Sequence, residues 1–418
     1  MLTRRLSRTR AHKASGRPGE PVSRQGPAGQ TAGRFFLTVL GVWVAGNLYL
    51  GYGLIEVPRP SPHARLEGWA VLMAFAVLVP AVMFLHRRPR KPEAWVLGLM
   101  WPAYLWMSFV ALAFPALLLR DILWAGTRLA EAAAGPFLGD DASRLLLLRR
   151  SGFLVLALAG LGLVVGFAQA KLPPRFRRTT VPLDGLPEGL DGLVIAHVSD
   201  LHLGGTRSGR ELARLVGRLN AEKLDLVALT GDVADGRAGH MRATVAPLAD
   251  LNPPLGVLFV SGNHEYYWDH RGWMEALPGL GLRVLDNTHA VIKRGGAVLL
   301  VAGVPDPNAG TGMGGRPPDL PSALRGAPEA DLKILLSHQP VDVSEAGDAG
   351  FSLMLSGHTH GGQFWPWRHV VAAVQPLMEG LHRRGRLWVH VSRGTGYWGP
   401  PNRLFVPPEV TLLTLRKT

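Results

Sequence analysis

Two histidines one residue apart, His358 and His360, lie in a glycine-rich turn that could bring both imidazoles to one centre. The turn, Ser356 to Gly362, follows the apolar run Phe351–Leu355, which predicts a buried strand. Its glycines indicate a sharp bend where the backbone comes close to another group. Because a His-x-His pair alone is more often solvated than metal-bound, its meaning depends on the rest of the chain.

Four earlier segments share the pattern of a short apolar run followed by a carboxylate, an amide or an imidazole. In open α/β sheets, ligands bind outside the carboxyl ends of the strands, so these side chains would gather at one edge. The set offers oxygen and nitrogen but no sulfur, which suits Mn²⁺, Fe²⁺ or Zn²⁺. The runs and their polar residues are Leu193–Ser199 with Asp200 and His202, Asp225–Thr230 with Asp232 and Asp235, Val257–Ser261 with Asn263, His264 and Glu265, and Leu332–Leu336 with His338.

In this order the segments resemble the motifs of the calcineurin-like metallophosphoesterases: D-x-H, G-D-x-x-D, G-N-H-[DE], a lone His and G-H-x-H. The resemblance covers about the last 230 residues, without a departure at a ligand position. Gly361-Gly362-Gln363 and Ser392-Arg393-Gly394 further resemble a bacterial membrane-anchored branch, which includes phosphodiesterases and UDP-2,3-diacylglucosamine hydrolases. The resemblance implies an α/β fold, a four-layer α/β/β/α sandwich.

The resemblance also implies two divalent metal ions, with Mn²⁺ as the first choice and Fe²⁺ or Zn²⁺ as alternatives. Asp232 would bridge the ions, and His264 would act beside them as a general acid or transition-state stabiliser. Asp235 and Glu265 would orient the ligands. The ligands would be Asp200, His202 and His360 for the first ion and Asn263, His338 and His358 for the second.

Two metal ions held together would explain why the motifs contain no nucleophilic Ser or Cys. Ions about 3.5–4 Å apart can hold the attacking and leaving oxygens of an in-line displacement at phosphorus. Water between two cations loses a proton near neutral pH, so the nucleophile would be a hydroxide that bridges the metals. The predicted activity is metal-dependent hydrolysis of a phosphoester, either a phosphodiester or a pyrophosphate, with a lipid-linked phosphate as a candidate substrate.

The N-terminal part of the chain predicts an all-α region of four transmembrane helices. Each apolar stretch is close to the roughly 20 residues that span a bilayer. The chain is 47% hydrophobic and only 18% charged, and it has no cysteine, which excludes disulfides. We therefore divide it into a disordered basic tail (1–34), four transmembrane helices (35–170), a basic linker (171–180) and the phosphoesterase domain (181–418). The four stretches are Phe35–Ile55, Trp69–Leu85, Ala94–Leu119 and Gly152–Ala170.

The net charge of +14 is concentrated outside the catalytic domain. Residues 1–180 carry 23 Lys and Arg against 8 Asp and Glu, whereas the remainder carries 22 against 23. This distribution argues against a nucleic-acid partner and indicates membrane topology. By the positive-inside rule, the N-terminus, the loop His86–Lys91 and the catalytic domain face the cytoplasm of a bacterial inner membrane. Arg144, Arg149 and Arg150 lie on the other side in this arrangement.

Other interpretations and local expectations remain open at this stage. One is a non-catalytic membrane sensor or scaffold, which the full set of ligand positions disfavours. Another is a transport unit, which the scarcity of ionisable residues in the spans disfavours. The oligomeric state is undetermined.

The apolar patterns also predict local structure in the C-terminal part of the chain. We expect ten strands and helices at Gly209–Asn220, Arg242–Leu251 and Gly272–Leu277. Near the site we expect a loop at Pro305–Ala327 and aromatic runs at Tyr266–Trp268 and Phe364–Trp367.

Overall fold

A computed structural model describes residues 27–311, 313–341, 343–375 and 377–418. Most of the predicted basic tail, residues 1–26, lies outside these ranges. Within the described residues the first helix covers Pro27–Gly51, so residues 27–34 are helical where a disordered tail was predicted.

Four long helices form the N-terminal region, and each is long and apolar enough to cross a membrane. The first ends in a π-helical turn at Tyr52–Glu56. The third and fourth are longer than predicted, because charged residues continue both helices beyond their apolar stretches. The helices are α1 (Pro27–Gly51), α2 (Pro62–His86), α3 (Ala94–Ala134) and α4 (Asp141–Lys171).

The C-terminal domain contains two six-stranded sheets, which together hold the twelve strands of the described residues. The first has the order β1-β12-β2-β3-β4-β5 and the second β10-β11-β9-β8-β7-β6. The strands are β1 (Arg175–Leu183), β2 (Val194–Val198), β3 (Leu226–Thr230), β4 (Val257–Val260), β5 (Leu282–Val284), β6 (Thr288–Arg294), β7 (Ala297–Gly303), β8 (Leu332–Leu336), β9 (Leu353–Ser356), β10 (Gly380–Arg384), β11 (Leu387–Val391) and β12 (Glu409–Lys417).

The two sheets pack face to face, and helices cover both outer faces, so the predicted α/β/β/α sandwich is confirmed. Ile195 and Ala228 of the first sheet meet Val301 and Ile334 of the second in a core that excludes water. The helices are α5 (Gly209–Asn220), α6 (Ala238–Val245), α7 (Asn263–Trp268), α8 (His270–Ala276), α9 (Leu320–Ala323), α10 (Val343–Asp348) and α11 (Trp367–Val374).

Two strands were missed by the sequence reading, β1 and β10. Strand β1 occupies much of the predicted basic linker, so the sandwich begins at Arg175 and not at 181. It is an edge strand paired in parallel with β12, and its cations remain at the surface, so it lacks a hydrophobic alternation. Helix α5 has the predicted bounds, whereas the predicted helix Arg242–Leu251 is α6 followed by a 3₁₀ turn at Ala246–Asp250.

The loop 402–405 of the catalytic domain is inserted against the helical bundle. The Asn402 Nδ2 donates to Ser108 Oγ over 2.7 Å, and the Arg403 backbone N–H donates to the Gly166 carbonyl over 3.0 Å. Leu404 is buried among residues of α1 to α4 such as Leu112. The domain is therefore packed on the bundle and not merely tethered to it, which the sequence did not predict.

We expect Gly166→Leu to loosen this contact, because a Cβ on Gly166 would lie 2.0 Å from the Asn402 Oδ1. Overpacking of this kind costs about 1–3 kcal/mol. The thermal unfolding midpoint in detergent should fall. The control is Gly160→Leu on the same helix, where a Cβ meets nothing within 4 Å. Equal midpoints for the two variants would contradict the packing described.

Candidate metal centre

The predicted side chains meet because their strands end at the same edge of the sandwich. Strands β2, β3 and β4 are parallel neighbours in one sheet, and β8 and β9 are parallel neighbours in the other. The turns after these five strands therefore open toward one space between the sheets. They carry Asp200, His202, Asp232, Asn263, His264, His338, His358 and His360.

Five of these residues have a left-handed backbone. The φ values are 55° at Asp200, 45° at His202, 56° at Asp232, 68° at His358 and 51° at His360. Such values are rare for residues with a Cβ and cost of order 1–3 kcal/mol each. Strain of this kind is concentrated at functional sites, because the surrounding structure has to hold it in place.

The first group of ligand atoms is formed by Asp200, His202, Asp232 and His360. The Nε2 atoms of His202 and His360 lie 3.1 Å apart. The Nε2 of His360 is 3.3 Å from Asp200 Oδ1, and the Nε2 of His202 is 3.5 Å from Asp232 Oδ2. All four residues are buried, so nitrogens and carboxylate oxygens converge in a space largely closed to water.

The second group is formed by Asp232, Asn263, His338 and His358. The Asn263 Oδ1 lies 3.1 Å from His338 Nε2 and 3.0 Å from His358 Nδ1. The same Asp232 Oδ2 that faces His202 lies 3.4 Å from His338 Nε2. Asp232 therefore stands between the two groups.

Asp235 and Glu265 hold the surrounding groups in place. The Asp235 Oδ1 lies 3.1 Å from His202 Nδ1 and 2.5 Å from His264 Nδ1, so it orients both rings. The Glu265 carboxylate accepts three backbone N–H bonds, from Gly262, Asp232 and Val233, at 2.7–2.9 Å. It thereby fixes the turn on which Asp232 sits.

Two glycines allow the turns to approach each other. A Cβ on Gly262 would lie 2.2 Å from Asp232 Oδ1. A Cβ on Gly357 would lie 1.9 Å from Ser199 Oγ and 2.3 Å from Asp200 Oδ2. The glycines of the G-N-H and G-H-x-H motifs are thus required by the close approach of carboxylates to the backbone.

Crowded carboxylates shift the pKa values in the centre. Burial alone would lower the pKa of His264, but the charges of Asp232 and Asp235 outweigh it and raise the pKa to about 9. Burial raises the pKa of Glu265 to about 7, the Asp232 charge adds to this, and its backbone N–H bonds oppose it. The His264 shift therefore reflects neighbouring negative charge, whereas the Glu265 shift reflects mainly burial.

Arg403 is a residue near the centre that the sequence reading missed. Its guanidinium is fully buried, and it donates to the His360 carbonyl oxygen over 2.9 Å and to backbone carbonyls after β11. It therefore fixes the turn that presents His360. An arginine in a loop about 40 positions after the motif gives no local signal of this role.

Some of the aromatic side chains lie beside the metal centre, and others pack against the helical bundle. Tyr267 and Trp398 lie beside His264, with ring centroids 5.3 and 6.0 Å from its ring. Trp268 instead packs against His86 at the end of α2, at 5.0 Å. Phe364 is buried against the helical bundle.

The loop Pro305–Ala327, expected near the centre, is held by contacts with residues outside it. Asp306 is buried and accepts from Gln339 Nε2 over 2.8 Å, in the turn that carries His338. Helix α9 interrupts the loop, and Asn287 Nδ2 donates to Pro317. These contacts hold both ends of the loop against the second sheet.

Four histidines outside the motifs have structural contacts. His197 and His390 are fully buried between the sheets, with their Nδ1 atoms 2.8 Å apart, and His197 Nε2 lies 2.8 Å from Thr230 Oγ1. His289 contacts the Ala323 carbonyl, and His382 the Glu379 carbonyl.

The donor atoms fit divalent metal ions. Three overlapping sets of ligand atoms each lie within 4.8 Å of one another, namely Asp200, His202 and His360, then His202, Asp232 and His264, and then Asp200, Asp232 and His338. Imidazole nitrogens that face each other at 3.1 Å, with carboxylates beside them, are the arrangement that a shared cation would stabilise.

Comparison with known proteins agrees with this geometry. The sequence model of the calcineurin-like phosphoesterases matches residues 193–362. A zebrafish (Danio rerio) transmembrane protein with metallophosphoesterase domain is 30% identical over 407 residues, which cover 92% of this chain and 89% of that protein. The chain belongs to the calcineurin-like metallophosphoesterases and is a metal-dependent phosphoesterase.

The transmembrane relatives, together with the four apolar N-terminal helices of this chain, indicate a membrane protein of this class. An uncharacterized metallophosphoesterase of Bacillus subtilis, YkuE, is 30% identical over 267 residues, or 60% of this chain and 90% of that protein. Among solved structures, the NAD nucleotidase of Haemophilus influenzae is 16% identical with a TM-score of 0.36, covering 49% of this chain and 45% of its own. That score is too low to support an argument about function.

We expect Glu265→Gln to weaken the centre, because an amide can accept the three backbone N–H bonds only with its single oxygen. Each unsatisfied buried donor costs about 1–3 kcal/mol. The thermal midpoint should fall, and the purified variant should retain less metal. The matched control is Glu275→Gln, an exposed residue that pairs only with Arg271 on α8. Unchanged metal content in Glu265→Gln would contradict the role assigned to this carboxylate.

Proposed function

We propose that the protein is a membrane-anchored dinuclear-metal phosphohydrolase that cleaves a phosphodiester or a pyrophosphate. The observation that supports this most directly is the position of Asp232. A single carboxylate oxygen of Asp232 lies 3.5 Å from a histidine of one group and 3.4 Å from a histidine of the other. A carboxylate so placed can keep two cations together by neutralising part of their repulsion.

In this proposal Asp232 bridges two ions, with Mn²⁺ as the first candidate and Fe²⁺ or Zn²⁺ as alternatives. When bound, the ions would supply activated water and neutralise the phosphate oxygens. The protein's part is to fix the donor atoms before the substrate arrives, through the strained turns and through Asp235 and Glu265. The ligands are Asp200, His202 and His360 for one ion and Asn263, His338 and His358 for the other.

His264 is the proposed general acid. Its backbone N–H donates to Asp232 Oδ1 over 2.8 Å, and its ring Nδ1 contacts Asp235, so its Nε2 is the ring nitrogen left for a substrate. The carboxylate of Asp235, which is not among the proposed ligands, favours its protonated form. Transfer of a proton from Nε2 to the leaving-group oxygen would avoid the release of a high-energy alkoxide or phosphate anion.

A lipid-linked phosphate is the proposed substrate class. Trp398, beside His264, is about half exposed, and so is Trp365. Helix α11 exposes Val370 and Val374 one turn apart, while its Trp367 indole donates to the Ala111 carbonyl of α3. Apolar surface thus extends from the centre to the helical bundle, where an acyl or isoprenyl chain could lie.

His264→Ala should lower turnover by about 10²–10⁴-fold, the typical contribution of a general acid, with bound metal retained. Turnover is measured with Mn²⁺ on bis-p-nitrophenyl phosphate, on lipid-linked pyrophosphates and on a soluble pyrophosphate diester, alongside metal analysis of the same sample. Asp232→Asn should lose metal and activity together. His240→Ala, on α6, is the control and should match the parent.

The same experiment separates catalysis from a scaffold role. Retained turnover in His264→Ala would remove the general-acid assignment. Failure of the metal-loaded parent to hydrolyse any of these substrates would remove the proposed substrate classes. A preference for lipid-linked over soluble pyrophosphate supports the lipid assignment, and equal rates would contradict it.

We further propose that the catalytic domain faces the cytoplasm of a bacterial inner membrane. Bacterial relatives match the catalytic domain. The loop after α2 lies on the same side as this domain, because Arg87 stacks over Trp268 at 5.7 Å. On the opposite side, Arg144 pairs with Glu131 at 2.9 Å, and Arg149 donates to the Pro58 carbonyl, so these cations are partly neutralised.

Single cysteines can test this topology because the chain has none. Pro89→Cys, between α2 and α3, should react with a membrane-impermeant maleimide only after the membrane is opened. Pro60→Cys, between α1 and α2, should react in intact cells. Both positions are exposed, so accessibility alone does not separate them. The reverse labelling pattern would place the catalytic domain outside the cytoplasm.

A further inference from the structure

A recess of about 330 Å³ opens where the helical bundle meets the catalytic domain. It lies between α3, the end of α4 and the start of α5, apart from the predicted metal ligands. Its volume is within the range of small-molecule sites. The lining consists of Trp101, Lys171, the turn Gly204–Ser208, Arg210, Glu211 and Arg214.

The lining carries an excess of positive charge. Its one carboxylate, Glu211, is already engaged: it accepts from the Ser208 backbone N–H over 2.7 Å and from Lys171 Nζ over 3.2 Å. Four cationic side chains against this single carboxylate leave a formal charge of +3. The cations are Lys171, Arg207, Arg210 and Arg214.

Arg207 is the cation that most requires a counter-charge. It is only 8% exposed and lies over the Tyr397 ring at 5.6 Å. Its guanidinium donates to the Thr395 carbonyl over 3.1 Å, and among the described residues no carboxylate lies within 4.0 Å of it. A guanidinium has five donors, and a buried charge is costly without a partner. Burial also lowers the pKa of Arg207, as expected for a cation in this position.

The start of α5 borders the recess. The helix is 12 residues long and begins at Gly209, directly after the turn that lines the recess. Its N-terminus is already capped by Ser208 and Glu211, so the helix end is not counted toward the positive charge. The excess positive charge of the recess therefore comes from the buried guanidinium of Arg207 and from Arg210 and Arg214.

The recess lies at the level where lipid headgroups are expected. Lys171 is the last residue of α4, and its ammonium lies 4.9 Å from the centroid of the Trp101 ring. The same ammonium donates to the Thr206 carbonyl over 2.7 Å. Tryptophan and lysine at the ends of spanning helices mark the boundary between hydrocarbon and headgroups.

We propose that this recess binds the phosphate group of an anionic phospholipid from the leaflet next to the catalytic domain. The phosphate oxygens accept from Arg207, Arg210 and Arg214, and the acyl chains follow α3 and α4 into the bilayer. The source is a lipid because the recess opens beside the ends of two membrane helices. This site is separate from the metal centre and does not depend on the proposed substrate.

A lipid phosphate bound in the recess would also stabilise the turn Gly204–Ser208, which is connected to the metal centre. The turn begins two residues after His202, and Leu203 is hydrogen-bonded to Val233 and Asp235 at 3.0 and 2.7 Å. A lipid phosphate that holds Arg207 in place therefore restrains the segment between a predicted ligand and α5. The stabilisation should appear as a higher unfolding temperature of the full chain.

The test titrates the full chain in uncharged detergent with dihexanoyl phosphatidic acid and follows the unfolding temperature. A saturable rise is expected, with no comparable effect of dihexanoyl phosphatidylcholine, whose headgroup has no net charge. An equal rise with phosphatidylcholine would overturn the proposal. Saturation by inorganic phosphate at the same concentrations would also overturn it, since the source would then be a soluble anion.

Variants locate the binding site. Arg210→Gln with Arg214→Gln should weaken apparent affinity for phosphatidic acid roughly tenfold or more, because hydrogen bonds to charged groups are lost. Arg207→Gln should do the same where it folds. The control removes equal charge elsewhere, with Arg271→Gln and Arg325→Gln, and should bind as the parent does.

One further variant separates this site from the metal centre. Asp232→Asn should keep its affinity for phosphatidic acid, even if its activity is lost. If Asp232→Asn abolishes binding while the double variant at Arg210 and Arg214 does not, phosphatidic acid occupies the metal centre, and the recess is not a lipid site.

Discussion

The architecture of the catalytic end depends on keeping the carboxylate of Asp232 buried between two groups of imidazoles. A buried carboxylate is stable only with compensating positive charge or hydrogen bonds. His202 and His338 face one of its oxygens, and the His264 backbone N–H binds the other. The parallel strands, the left-handed turns and the glycines with no room for a Cβ all serve to bring these groups within contact.

Much of the catalytic domain could be predicted from sequence because each motif follows a short apolar strand. That rule identified five strands and the side chains that meet at one edge, further apolar runs brought the predicted strands to ten, and the layer order followed from the family resemblance. The sequence reading missed β1, whose arginines remain in solvent and hide the strand pattern, and it missed Arg403, whose role depends on a distant loop. It also placed the start of the first helix too late, since residues 27–34 give no hydrophobic signal.

The relation between the two regions could not be predicted, because no sequence pattern records which surfaces pack together. The sequence of the four helices shows only the pattern of membrane spans. In the structure the loop 402–405 and Phe364 pack against these helices, and the Trp367 indole donates a hydrogen bond to the Ala111 carbonyl of α3. The edge that carries the metal ligands consequently lies beside the helical bundle.

Arg403 contacts both the helical bundle and the metal centre. Its backbone N–H binds the Gly166 carbonyl inside a membrane helix, while its side chain binds the carbonyl of His360. Cutting the domain free of its helices would remove the first of these contacts and leave the second with one support fewer. We therefore expect a fragment without the helices to hold the turn at His360 less rigidly than the full chain does.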